Sequence, residues 1–153
     1  MSVENNFKQT EIGLIPEDWE VVRLGDIAHF ETGKRMKGGA LTNGEVFSIG
    51  GEHINDDGSI KFRPLKFISK EFYLQMKKGK VQTGDILICK DGAKAGKVAF
   101  VKYLPFSQCA VNEHVYIIRS KTSRQVINQF LFFFIFSQYG KKQIERIFHG
   151  LIG

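Results

Sequence analysis

Residues 84–100 read GDILICKDGAKAGKVAF: an apolar run, a stretch of glycine and lysine, and a second apolar run. Glycine beside lysine often holds phosphate, so the stretch is either a nucleotide loop or a turn between strands. A Walker-type loop places four residues between its first glycine and the Gly-Lys pair, then Ser or Thr for magnesium. Here three residues separate Gly92 from Gly96-Lys97, and Val98 follows. Such a loop also opens a helix, whose free amides and dipole hold the anion. After Lys97 the chain alternates as a strand does, Val98 and Phe100 against Ala99 and Val101. The nucleotide reading fails on all three counts. What is left is a buried-type strand over Ile86 to Cys89, a reversal at Asp91-Gly92, and a return strand from Lys97 to Tyr103. The turn does not explain Lys90, Lys94 and Lys97, which are candidates for a phosphate backbone.

Upstream, Gly84-Asp85 predicts a turn, and Ser69 caps a short helix from Lys70 to Met76. HINDDGSIKFRPLKFI (residues 53–68) predicts a hairpin about Asp57-Gly58, with Lys61, Arg63 and Lys66 making one strand face cationic. Val46 to Gly50 predicts a strand. KRMKGGALTNG (residues 34–44) is a basic, glycine-rich loop in which Lys34, Arg35 and Lys37 are placed to meet nucleic acid or to be solvated. Trp19 to Leu24 alternates as a short strand. Asp26 caps a short helix through Phe30, which Gly33 ends. Residues 1–11 read as a loose polar lead-in, and residues 12–153 as a single domain.

Downstream, EHVYIIR (residues 113–119) is a further strand. Thr122 and Gln125 form a capping-box pair opening a helix from about Ser123 to Gln138. Val126, Ile127, Phe130, Leu131, Phe134 and Ile135 follow the helical period, and Phe132, Phe133 and Phe136 fall on other faces, so burial on nearly all sides is expected. Gly140 breaks this helix, and a second follows over Lys141 to His149. The whole predicts an α+β fold: a small mixed or antiparallel, partly barrel-like sheet with short helices and an aromatic-rich helical segment at the C-terminal end.

A chain of 153 residues is long enough for one domain with a real core. Cys89 and Cys109 lie in unrelated contexts without partner histidines, so neither a disulfide framework nor a zinc site is expected, and the compartment is read as reducing and cytoplasmic. The N-terminal residues are polar, unlike a secretory leader, and no apolar run approaches the ~18 residues of a membrane helix. Net charge is +6 but unevenly spread. Residues 1–33 carry two basic and seven acidic side chains; residues 34–153 carry 20 basic and nine acidic. A basic body suits a polyanion, although it also suits plain solubility. His29, His53, His114 and His149 are scattered, and Asp85 with Lys90 lacks the second acid of a nuclease pattern. No Gly-x-Ser-x-Gly occurs. No catalytic residue, metal or cofactor is expected.

Three stretches together resemble the target recognition domains of type I restriction–modification specificity subunits. IGLIPEDWEVVRLGDI (Ile12 to Ile27) resembles their opening Gly-x-Ile-Pro-x-x-Trp segment, matching at Gly13, Ile15, Pro16, Trp19, Leu24 and Asp26. GDILICKDGAKAGKVAF resembles their Gly-Asp-Ile-Leu strand and Gly-Lys return strand. NQFLFFFIFSQYGKKQIERIFHG (residues 128–150) resembles their closing aromatic-rich helix. The resemblance implies a half-site reader of split DNA sequences that does no chemistry and positions methyltransferase (modification) subunits and, through them, a restriction subunit. The family's spacer helix is absent, which implies a truncated or half-length form. The family supplies no fixed reading motif. The DNA-contacting set therefore rests on charge and loop position: Arg35 and Arg63 for guanine-type contacts, and Lys34, Lys37, Lys61, Lys66, Lys90, Lys94 and Lys97 mainly for phosphates. The rival expectation is an interaction module that docks a protein partner, or self-associates, through its phenylalanine-rich helices without touching DNA.

Overall fold

The structure is a computed structural model that describes residues 6–122 and 125–152, with side chains described for residues 6–122 and 127–146. Its centre is a four-stranded antiparallel sheet in the order β3 (Ala28–Thr32), β9 (Val115–Ser120), β6 (Ile86–Cys89), β7 (Val98–Phe100). The opening stretch forms the β6–β7 pair, with Ile86 opposite Phe100 and Ile88 opposite Val98. Successive strand residues point to opposite faces, and here both faces are covered. Leu87, Cys89, Ala99, Val101, Val115 and Ile117 enter one core; Ile86, Val98, Phe100 and Ile118 enter another. That double burial is why the run ILIC has no polar alternate.

The first core is closed by a three-stranded sheet, β5 (Phe67–Ile68), β4 (Val46–Ile49), β8 (Gln108–Val111), which contributes Phe47, Ile49, Phe67, Cys109 and Val111. In it β4 runs antiparallel to β5 and parallel to β8. Its outer face is covered by Met36, Met76 and α2 (Lys70–Gln75), whose first turn is capped by the Ser69 hydroxyl accepting from the Phe72 N–H at 3.1 Å. The second core lies under α3 (Gln125–Phe136), through Leu131, Phe132 and Ile135. The fold is α+β as expected, although the sheets do not close into a barrel. Among the described residues no helix is long and apolar enough to cross a membrane.

Polar contacts pin these layers together. Asn128 of α3 is buried; its amide donates to the Gly84 carbonyl at 2.8 Å and its oxygen accepts from the Ser120 N–H at 2.6 Å. His53 is fully buried, its Nδ1 accepting from the Gly50 N–H at 2.9 Å. That leaves Nε2 to donate to the Pro64 carbonyl at 2.8 Å, which fixes the neutral tautomer and ties residues 50–53 to residue 64.

Several local expectations give way to tertiary pairing. Residues 28–30 are not helical: α1 is a single turn (Leu24–Ile27), and Ala28 to Thr32 pairs with β9 along its whole length. Trp19 to Leu24 forms no strand, because no sheet edge receives it, and Trp19 and Val22 remain exposed. Residues 7–10, within the polar lead-in, form β1 (Phe7–Thr10), paired with β2 (Gly13–Pro16). Residues 53–68 reverse at Asp57-Gly58 as expected, with φ +86° at Gly58, but only an isolated Ile54–Ile60 bridge forms. β8 was not anticipated. Gly140 does not break a helix: it lies buried inside α4 (Gln138–Ile152), facing the Phe134 and Ile135 carbonyls, where a Cβ would collide. The break falls at Ser137, whose hydroxyl donates to the Phe134 carbonyl at 2.6 Å. The capping-box expectation pairs Thr122 with Gln125, whose side chain lies outside those described. Burial on all sides of α3 is also corrected, since Phe130 and Phe133 are 68% and 61% exposed.

Candidate nucleic-acid interface

The strand directions bring the basic loops to one end of the molecule. β4 and β8 are parallel and stop together, Ile49 opposite Val111. β3 stops beside them, since a Cβ on Gly33 would overlap the Val111 carbonyl. β6 stops beside β4, since a Cβ on Gly51 would lie 2.8 Å from the Cys89 sulfur and 3.4 Å from the Lys94 Cβ. The chain segments leaving these four ends therefore converge: 33–45, 50–66, 90–97 and 112–114. Gly33 and Gly51 are the close-approach points that let them do so.

Lys34, Arg35 and Lys37 all lie exposed on the first segment. Its cationic part is held by Gly33 and by Met36, which packs beneath Ile68 and Met76 and accepts the Ser69 N–H on its sulfur at 3.4 Å. These three cations have no ion-pair partner among the described residues. Lys61 and Arg63 are exposed on an irregular segment and not on one strand face, as the hairpin expectation had it; the Lys61 N–H donates to the His53 carbonyl at 2.9 Å. Lys66 instead turns back onto Glu52 at 2.5 Å.

The opening stretch places Lys90, Lys94 and Lys97 around a single 3₁₀ turn, Gly92–Lys94, with positive φ at Gly92 and Gly96. Lys90 sits 4.0 Å from Asp91 and over the Tyr116 ring, its ammonium 5.6 Å from the centroid. Lys97 reaches Asp56 at 2.8 Å. Lys94 has no ion pair among the described residues. The nine cations chosen by sequence thus fall into two kinds, with Lys66, Lys90 and Lys97 accompanied by carboxylates and the rest open.

Those carboxylates are what the sequence reading missed. Burial alone would raise Glu52, but the Lys66 hydrogen bond leads the effects that bring its carboxyl below the ordinary range. Asp56 is also lowered, first by its hydrogen bond from Lys97. Asp91 pairs with His114 at 2.6 Å, and the His114 N–H donates to the Asn112 side chain at 2.9 Å. A basic loop followed by acidic residues gives no signal until the fold brings them face to face.

Burial raises both thiols, Cys109 to about 11, so they are neutral packing groups. Among the described residues no cluster of His, Cys, Asp and Glu could hold a metal ion. What this end offers is charge, hydrogen-bonding side chains and anchored loops.

Comparison with known proteins gives this surface a context. The sequence profile of the type I restriction modification DNA specificity domain matches residues 16–150. The chain belongs to that family. It is 26% identical over 150 residues to the MjaVIII type I restriction enzyme specificity subunit of Methanocaldococcus jannaschii, a match covering 95% of this chain and 34% of that one. It is 36% identical over 93 residues to the EcoBI specificity subunit of Escherichia coli, covering 58% of this chain and 19% of that one. The specificity domain therefore spans about a third of the length of the M. jannaschii relative, or less of the E. coli one. Its fold matches the crystal structure of the HsdS subunit from Thermoanaerobacter tengcongensis with a TM-score of 0.62 at 17% identity, over 92% of this chain and 32% of that one. A structure solved to explain complex assembly and conformational transition of the type I R-M system matches with a TM-score of 0.51, also at 17% identity, over 78% of this chain and 28% of that one.

Proposed function

We propose that residues 12–153 form one target recognition domain that binds double-stranded DNA sequence-specifically as the specificity component of a type I restriction–modification system. It has no catalysis of its own and works in the cytoplasm, positioning methyltransferase subunits and, through them, a restriction subunit. The observation that carries this reading is the convergence of three lysine-bearing segments, 33–45, 50–66 and 90–97, at one end of a domain whose family is a DNA specificity domain. Lys34, Lys37, Lys61, Lys90, Lys94 and Lys97 supply the phosphate-directed charge that gives affinity and salt dependence, and Lys66, spent on Glu52, adds charge without a phosphate contact of its own. Arg35 and Arg63 are the candidates for guanine edges in the major groove, where the donor and acceptor pattern is unambiguous. Methylome sequencing of cells with and without the gene tests function and target together. A split methylated motif that appears only with the gene supports the proposal, and its absence in cells that supply the partner subunits counts against it.

A second reading, a protein-docking module without DNA contact, has the exposed Phe130, Phe133 and Phe134 in its favour. So does the cavity of about 290 Å³ between the Asp57-Gly58 turn and α3, walled by Phe62, Phe100, Tyr103, Phe132 and Phe133. A salt titration separates the two. Steep weakening of duplex binding with salt belongs to the DNA reader, and no binding even at low salt belongs to the docking module.

A further inference from the structure

Of the three lysines accompanied by carboxylates, Lys66 and Lys97 are held at hydrogen-bond distance, and the two pairs differ in kind. Glu52 stands between buried Gly51 and His53 and is half buried itself, so its hold on Lys66 belongs to the framework. Asp56 is 76% exposed and Lys97 41%, and their 2.8 Å contact bridges the tip of one loop to the end of another. Asp57, its neighbour, is committed elsewhere, accepting from the Ser59 N–H at 2.9 Å and the Ser59 hydroxyl at 2.5 Å. Asp56 has no such bond within its turn among the described residues; its one polar partner is Lys97.

An exposed pair of this sort contributes little to stability, so its cation is readily exchanged. A phosphate offers the same lysine a similar charge-assisted bond. Lys97 cannot keep both partners without bringing a carboxylate and a phosphate within a few ångströms of each other. Building on the DNA-reading proposal above, we infer that Asp56 is an internal competitor for DNA phosphate: it occupies Lys97 in the unbound protein, and Lys97 leaves it to engage a duplex. Asp56 then lowers affinity for duplex of any sequence. Base contacts made elsewhere on the surface are untouched, so the residue sets the sequence-independent part of binding.

The test is a double-mutant cycle on a mixed-sequence duplex, read by fluorescence anisotropy across a salt series, with wild type, Asp56→Asn, Lys97→Gln and the double variant. Both positions are exposed, and unchanged thermal unfolding confirms that all four proteins fold. Asp56→Asn binds about fivefold tighter at low salt, the upper end of what an exposed pair is worth. The slope of log affinity against log salt changes little, because Lys97 makes its phosphate contact in both complexes. In the Lys97→Gln background the same substitution gives no gain. An equal gain in that background means that Asp56 acts through the general field, and the inference falls. No gain from Asp56→Asn alone, with duplex still bound, also overturns it while leaving DNA reading intact. If none of the four proteins binds duplex at low salt, the DNA-reading proposal fails and takes this inference with it.

Discussion

Asp85 and Arg119 clasp each other across the β6–β9 pair, Nε to Oδ1 at 2.7 Å and Nη2 to Oδ2 at 2.8 Å. Asp85 is 2% exposed, and its Oδ2 also accepts the Gln82 N–H at 2.7 Å. Arg119 continues to the Lys80 carbonyl at 3.2 Å and lies 3.9 Å from Glu31. The clasp gives the Gly-Asp pair before β6 its physical meaning, because it ties the strand's start to β9 and to residues 79–82. The Asp85 hydrogen bond pushes the guanidinium further up, so the cation persists at every working pH. Removing one partner strands a charge in a half-dry site, and Asp85→Ala is expected to cost about 3 kcal/mol. Urea unfolding measures it; a loss below about 0.5 kcal/mol contradicts the assignment.

The Asn128 bridge makes a second prediction. Its loss leaves the Ser120 N–H and the Gly84 carbonyl buried without partners, at about 1–3 kcal/mol each. Asn128→Ala is therefore expected to lower stability by roughly 3 kcal/mol. It should also loosen α3 specifically, seen as faster amide exchange there than in β6 or β9. Uniform exchange changes across the domain would refute the local role.

Glu52 gives a pH signature. Its carboxyl is depressed in the folded state, chiefly by Lys66 against the opposing effect of burial, so the folded protein binds that proton less readily than the unfolded chain. The stabilisation is fully present above the ordinary value of 4.5 and is lost as pH falls through the lowered folded value. Glu52→Gln should therefore show a lower urea midpoint than wild type at pH 7, and the gap should close in acid. A gap that stays constant below pH 4 disproves the linkage.

The open and engaged cations should separate in salt titrations. Replacing Lys34 and Lys37 together by alanine removes up to two phosphate contacts and should flatten the slope by about 1.8. Lys66→Ala should leave the slope nearly unchanged while reducing stability, because Lys66 is spent on Glu52. The opposite pattern would transfer the phosphate-binding role to the 60–66 segment.

The sequence was most readable where burial is two-sided or chemistry is local. The run ILIC, the turn at Asp57-Gly58 and the Ser69 cap each declare themselves within a few residues. Ala28 to Thr32 does not: a helix and a strand compete there, and the partner that decides, β9, is more than 80 residues away. β8 is hidden for the same reason, since QCAV becomes a strand by lying parallel to β4. At the candidate interface the cations were visible as residue types, but their state was not. Whether a lysine is open, like Lys34, or engaged, like Lys97, depends on an aspartate 41 positions away that only the fold brings within reach.

Gly33 and Gly51 have a bearing on loop exchange as well as on packing. Each marks the place where a surface excursion departs from the packed interior, and a Cβ at either would collide, with the Val111 carbonyl or with the Cys89 sulfur. A graft that keeps those two junctions, together with the interior residues Met36, His53 and Ile54, replaces the exposed remainder of both excursions without disturbing the cores. On the proposed function, exchange at the rim is the route by which such a scaffold takes a new target while its interior is kept.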